Sequence, residues 1–236
     1  MAQNQRMELI LYWLSAAVLL VLAIWLSSLL ARTGSLAAAC TLIVTLGLVY
    51  DNGVIAAGNL IGAGPLLEAL NWPRYVIHAF ATPLLVMVSF NLARRFGLQW
   101  ASRSGWRLGF WALTVLLIGY GVVVELLPLS LVAENNDGIV SYGPAGGAGF
   151  PLPAIVTMLP LTVIGIILWI RRGWPWLAVG SLLAFAGFGV APALDFTVLG
   201  QIAEVVLIGG IALSESRLAN DAAIRRPAAA RPLRAH

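Results

Sequence analysis

Lysine is absent from the 236 residues, and all 14 basic side chains are arginine. Without a lysine amine there is no Schiff base to retinal or pyridoxal and no phosphate-loop lysine, so a rhodopsin-type photoreceptor is excluded. Histidine is nearly as scarce, occurring only at His78 and His236. Two imidazoles do not build a three-histidine zinc site, and they make a bis-histidine haem hard to assemble. The single cysteine, Cys40, lies in an apolar run, which rules out a disulfide framework and a Cys-x-x-Cys redox pair.

Charge is the largest deficit. Charged residues make up 10% of the chain, apolar residues 60%, and the mean hydropathy is +0.91. A soluble domain carries about 25% charged residues, so this chain cannot clothe a water-facing surface. It reads as an all-α, polytopic integral membrane protein. Apolar stretches near the ~20 residues a spanning helix needs fall at 9–31, 36–61, 74–94, 108–130, 152–170, 174–191 and 195–214. They predict a seven-transmembrane helix bundle over 1–214, followed by a disordered Arg-, Pro- and Ala-rich cytoplasmic tail over 215–236. The first stretch, Leu9 to Ala31, exceeds the ~7–15 apolar residues of a signal-peptide core and reads as a retained helix.

The arginines give this bundle a direction. With seven spans, one side holds twelve of them (Arg32, Arg94, Arg95, Arg103, Arg107, Arg171, Arg172, Arg217, Arg225, Arg226, Arg231 and Arg234) and the other holds Arg6 and Arg74. The positive-inside bias places the N-terminus outside and the C-terminus in the cytoplasm of a bacterial inner membrane. Trp100, Trp106, Trp111, Trp169, Trp174 and Trp176 form an inner aromatic belt, with Trp13 and Trp72 at the outer interface. Interleaved arginine and tryptophan over 94–107 suit an anionic leaflet surface, making the lipid bilayer rather than nucleic acid the expected partner.

Ionisable side chains inside spans are costly, and each is a functional hypothesis. Four stand out: Asp51, His78, Glu125 and Glu204. None lies in the inner half of its span. Asp51 shares a helical stripe with Gly47, Gly58 and Gly62, and His78 one with Arg74, Thr82 and Ser89. Glu125 shares a face with Thr114 and Gly121, and Glu204 one with Thr197 and Gln201. Burying the four stripes together predicts an outward-facing polar pocket, with Tyr50, Asn52, Arg74, Tyr75, Thr82 and Gln201 as its substrate-binding groups. Arg74 is expected to pair with Glu68 at the rim or with a buried carboxylate below. Leu66 to Trp72 reads as a short interfacial helix, Pro73 as the first turn of the third span, and Asp195 as an N-cap of the seventh. The longest outer connection, 131–151, contains Glu134, Asn135, Asn136, Asp137, Gly138, Gly143, Gly146, Gly147 and Gly149 but no basic residue. It is expected to be a solvated connector or a lid.

These residue types point to acid–base chemistry on a lipid or apolar small molecule entering from the outer leaflet. His78 would be the general acid or base, Asp51 its orienting carboxylate, Glu125 or Glu204 a second proton carrier, and Arg74 the grip on an anionic headgroup. The sequence specifies no cofactor, and one histidine with carboxylates selects no particular metal. The alternatives are a seven-helix ligand-binding or sensor protein, and a proton-coupled carrier relaying through Asp51, Glu125 and Glu204. The carrier reading finds no ionisable path through the inner half.

Overall fold

The computed structural model describes residues 2–136, 138–147, 152–190 and 198–225. Asp137, Gly149, Asp195, Thr197 and the tail residues Arg226, Arg231, Arg234 and His236 lie outside the described residues. Eight α-helices account for most of the described chain: α1 (Ala2–Thr33), α2 (Leu36–Ile61), α3 (Pro65–Ala81), α4 (Leu84–Arg95), α5 (Ser104–Tyr120), α6 (Leu152–Arg172), α7 (Trp176–Val190) and α8 (Val198–Arg225). A 3₁₀ turn, Gln99–Ser102, precedes α5, and a π-helical segment, Gly121–Leu126, extends it. Two strands, β1 (Leu131–Asn136) and β2 (Ile139–Pro144), form an antiparallel hairpin.

Neighbour packing runs in a closed ring, α1–α2–α4–α6–α7–α8 and back to α1, with α5 outside it against α4. Leu19, Leu26, Val44, Leu48, Val88, Leu92, Leu161, Leu168, Leu177 and Ile208 belong to one shared core. The ring's exterior is as apolar as its interior: Ile24 (65% exposed), Leu60 (80%) and Ile170 (78%) face outward. Surfaces this apolar mark contact with lipid rather than water. Among the described residues, five helices are long and apolar enough to cross a membrane: Arg6–Thr33, Leu36–Ile61, Pro65–Arg95, Ser104–Leu126 and Leu152–Arg172. The fifteen-residue α7 is shorter than the ~20 residues of a full span.

Several boundaries differ from those read in the sequence. The 66–72 segment is no separate interfacial helix, because α3 starts at Pro65 and runs unbroken through Pro73. The interruption comes ten residues later, at Pro83. This proline has no N–H to give to the carbonyl four residues back, and the chain tightens there into i→i+3 bonds, Leu85 to Thr82 and Val86 to Pro83. At the other end of the chain α8 continues to Arg225, so 215–225, assigned to the tail on composition, is helical. Glu215 explains the extension. Its carboxylate is fully buried and receives two bonds from Arg95 Nη1, at 2.5 and 2.7 Å. The same Nη1 lies 2.6 Å from Ser35 Oγ, and that oxygen also caps α2 through the Ala38 N–H. One guanidinium thereby ties α2, α4 and α8 at the arginine-rich end.

The hairpin adds a β element to a chain otherwise read as all helix. It folds back onto α2 and α3 at the opposite end of the ring, and three side chains fasten it. Asn59 Nδ2 donates to the Gly138 carbonyl at 2.8 Å, and Asn59 Oδ1 accepts from the Val140 N–H at 2.7 Å. Asn71 Oδ1 accepts from the Tyr142 N–H at 3.3 Å, and the Tyr75 hydroxyl donates to the Tyr142 carbonyl at 3.1 Å. Gly58 is needed for this fit, because a Cβ there would collide with the Val140 carbonyl oxygen. At Gly58 the glycine stripe of α2 thus seats a strand. Gly58→Val should therefore cost about 1–3 kcal/mol by overpacking and detach the hairpin. Thermal unfolding in detergent, together with proteolysis between 131 and 147, checks this; an uncut hairpin at unchanged stability would refute the docking.

Candidate functional site

Asp51 sits on the buried face of α2 and is 5% exposed. Arg74, on α3, donates from Nε to Asp51 Oδ1 at 2.7 Å and from Nη1 to Asn71 Oδ1 at 2.5 Å. Of the two partners anticipated for Arg74, the buried carboxylate is the one it takes. Three residues separate Asn71 from Arg74, which puts both on one face of α3. Asn71 therefore serves two tasks, holding the guanidinium and accepting from the Tyr142 N–H of β2. The hairpin and the ion pair are thus parts of one network.

Under the hairpin lies a polar cavity of about 200 Å³, lined among others by Tyr12, Arg74, Tyr75, Glu134, Ser141 and Gln201. Arg74, Tyr75 and Gln201 were expected here. Tyr12 and the hairpin's Glu134 and Ser141 were not. Tyr75 also lies beside the guanidinium, its ring centroid 5.8 Å from Arg74 Cζ. Glu204, one turn along α8 from Gln201, is within electrostatic reach of Asp51 and Arg74. Among the described residues, Glu204 Oε2, Gln201 Oε1 and Asn52 Oδ1 are buried without a hydrogen-bond partner. Orphaned buried acceptors are rare enough in proteins to point to a use. The remaining binding-group candidates have local tasks, Tyr50 donating to the Leu70 carbonyl at 2.8 Å and Asn52 to the Leu48 carbonyl at 2.9 Å.

The four ionisable groups do not converge on one pocket. Asp51 is buried and Glu204 half-buried, but His78 and Glu125 are exposed on the flank of the ring, beside α5 and its π-helical extension. The π segment is the physical reason for Glu125. Its i→i+5 bonding, seen in the Leu127 N–H to Val122 carbonyl bond, breaks the 3.6-residue phase that would have carried Glu125 inward with Thr114. Gly121, at the start of that segment, packs closely on Ala79, whose Cβ would lie 3.1 Å from a Cβ placed there. This close approach brings Glu125 within electrostatic reach of His78. His78 is the bridge between flank and interior: its Nε2 is 3.9 Å from Asp51 Oδ1, and its Nδ1 is 3.3 Å from Thr82 Oγ1. Thr82 stands at the α3–α4 break, one turn from His78.

The arrangement therefore has two faces joined by one carboxylate. Toward the hairpin, Arg74 and Gln201 line a small polar cavity. Toward the flank, an imidazole backed by Asp51 is offered to whatever lies alongside the helices. Among the described residues no three His, Cys, Asp or Glu side chains gather as metal ligands.

Removing either partner of a buried pair leaves an uncompensated charge, worth about 3–5 kcal/mol. Asp51→Asn and Arg74→Gln should each cost roughly that much, while the apolar double replacement Asp51→Leu with Arg74→Met should cost less than either. Unfolding of the three variants in one detergent measures this; additive losses in the double variant would mean the two side chains act independently. Comparison with models of protein families and with curated proteins finds no match to this chain.

Proposed function

We propose that the protein is a membrane-embedded enzyme that takes a lipid or similar amphipathic molecule from the outer leaflet and acts on it by acid–base chemistry. One observation carries this reading. His78 is exposed on the flank of an apolar ring, while a buried carboxylate, itself held by Arg74, stands 3.9 Å behind its Nε2. An imidazole oriented by a fixed carboxylate suits proton transfer near neutral pH. His78 is the general acid or base, Asp51 orients and polarises it, Thr82 meets the other ring nitrogen, and Glu125 is the second proton carrier. Arg74, Tyr75 and Gln201 bind the polar part of the substrate.

In this reading α7 and α8 complete seven spans, the hairpin lies outside, and the arginine-rich end lies in the cytoplasm against anionic lipid, as the distribution of arginine favours. A cysteine placed at Asn135 should then react with impermeant thiol reagent on intact cells, and one at Ser102 only after permeabilisation. The reverse pattern would invert the topology.

The cavity under the hairpin favours a second reading, that of a binding or sensor protein for a small polar molecule. A small polar space lined by Gln201, whose buried Oε1 has no hydrogen-bond partner among the described residues, suits a ligand that donates hydrogen bonds. The two readings diverge experimentally. Under the enzyme reading, a His78→Gln strain and a deletion strain share one altered lipid profile, whereas Gln201→Leu only weakens activity. Under the binding reading, lipids are unchanged in both strains, and a small polar molecule co-purifies with the wild-type protein but not with Gln201→Leu.

A further inference from the structure

A second site lies at the arginine-rich end of the ring, far from the Asp51–Arg74 network. Where α4 ends, the chain turns through Gly97 and the Gln99–Ser102 3₁₀ turn before entering α5. This turn faces the C-terminal end of α6, where Arg171 and Arg172 are adjacent. Between them is an open cavity of about 750 Å³, lined by Gln99, Trp100, Arg103, Ile167, Arg171 and Arg172 together with the Gly97–Leu98 backbone.

Three features of this cavity point to one ligand chemistry. The first is charge. Three guanidiniums face the space, no carboxylate lines it, and among the described residues none of the three arginines has an ion-pair partner. Three unpaired cations around one cavity call for an anion, and guanidinium forks match phosphate oxygens in pairs.

The second is preorganisation. Arg172 Nη2 donates to the Gly97 carbonyl at 2.7 Å, which holds that guanidinium against the turn. Trp100 is set in an aromatic stack with Phe90, Phe110 and Trp106, with ring centroids 5.3–6.4 Å from its own. Two opposite walls are therefore held before any ligand arrives.

The third is what borders the cavity. Trp106 and Leu108, which follow Arg103 in the chain, and Trp169 and Ile170, which precede Arg171, are 50, 72, 49 and 78% exposed. An anion held here would lie beside a surface fit for acyl chains. A free inorganic anion would leave that surface unused.

We propose that this cavity is a specific site for an anionic phospholipid, with the headgroup phosphate held by Arg103, Arg171 and Arg172, glycerol hydroxyls near Gln99 and Trp100, and the acyl chains lying along Ile167 and Ile170. Bound there, the lipid joins the α4–α5 turn to the end of α6, two elements otherwise linked at that point through the Arg172 contact with Gly97.

Native mass spectrometry of the full-length protein in detergent tests the site, with phosphatidylglycerol, phosphatidylcholine or inorganic phosphate added separately. Phosphatidylglycerol is expected to be retained as one adduct per chain and to raise the unfolding temperature, while phosphatidylcholine does neither. Each arginine near an anionic lipid surface contributes about 1 kcal/mol, so Arg103→Gln, Arg171→Gln and Arg172→Gln should each weaken retention about fivefold. Arg6→Gln, at the hairpin end, should leave it unchanged. If a glutamine variant loses monodispersity, Arg171→Lys keeps the charge and removes the fork, and its retention should fall between wild type and loss. Equal retention of phosphatidylcholine, or full retention by the triple glutamine variant, overturns the proposal. Protection by inorganic phosphate as strong as by phosphatidylglycerol also overturns it, because the site would then be one for a free anion.

Discussion

A carboxylate and a guanidinium removed from water together hold the hairpin end of this protein. Neither is tolerable alone within an apolar bundle, so the 2.7 Å contact of Arg74 with Asp51 dictates where its neighbours stand. Asn71 supplies a further acceptor to the guanidinium, and the same oxygen catches the Tyr142 N–H of the hairpin. His78 is presented from the next turn of α3, its ring turned so that one nitrogen faces the shared carboxylate. Closure of the cavity, docking of the strands and orientation of the imidazole all follow from satisfying one buried pair.

A half-buried guanidinium plays the matching part at the other end. Arg95 joins the Glu215 carboxylate to the Ser35 hydroxyl that caps α2. The two clusters share α2, and between them the ring is filled with leucine, valine and isoleucine. The two ion-paired clusters thus stand at the two ends of the bundle, and buried hydroxyls such as Thr41, Thr45 and Ser89 lie between them.

Local irregularities place the exposed members of the site. Pro83 breaks the third span just after Thr82, and the π segment turns Glu125 outward beside His78. Helical spacing alone put four polar stripes in one interior, because it assumed straight helices of constant pitch. Where the pitch changes, at Gly121, that assumption fails and the stripe leaves the core. The hairpin had a local sign in the Asp137-Gly138 dipeptide, a strong turn former between strands. The glycine-rich run after it masked the strands as a loop. Glu134 and Ser141 reach the cavity only because that hairpin folds back across it, and Tyr12 comes from α1, distant in sequence.

Composition alone was enough to determine the membrane environment, since 10% charged residues cannot solvate a surface of this size. Apolar run length placed α2 and the start of α6 to the residue, because the apolar thickness of a bilayer sets a minimum length for each span, but it put the start of the third span nine residues after Pro65 and the end of the last eleven residues before Arg225. The costly ionisable residues could likewise be picked out by position, and Arg74 and Gln201, expected at one polar pocket, both line the cavity under the hairpin. Tertiary structure alone decided which of them are buried and which face outward. That depends on helix pitch, on the break at Pro83 and on a strand carbonyl seated against Gly58, which are contacts between segments far apart in the chain. Glu215 makes the contrast plain: in sequence it is one acidic residue at the start of a charged tail, and in the fold it is a fully buried anchor because Arg95, 120 positions away, arrives to meet it.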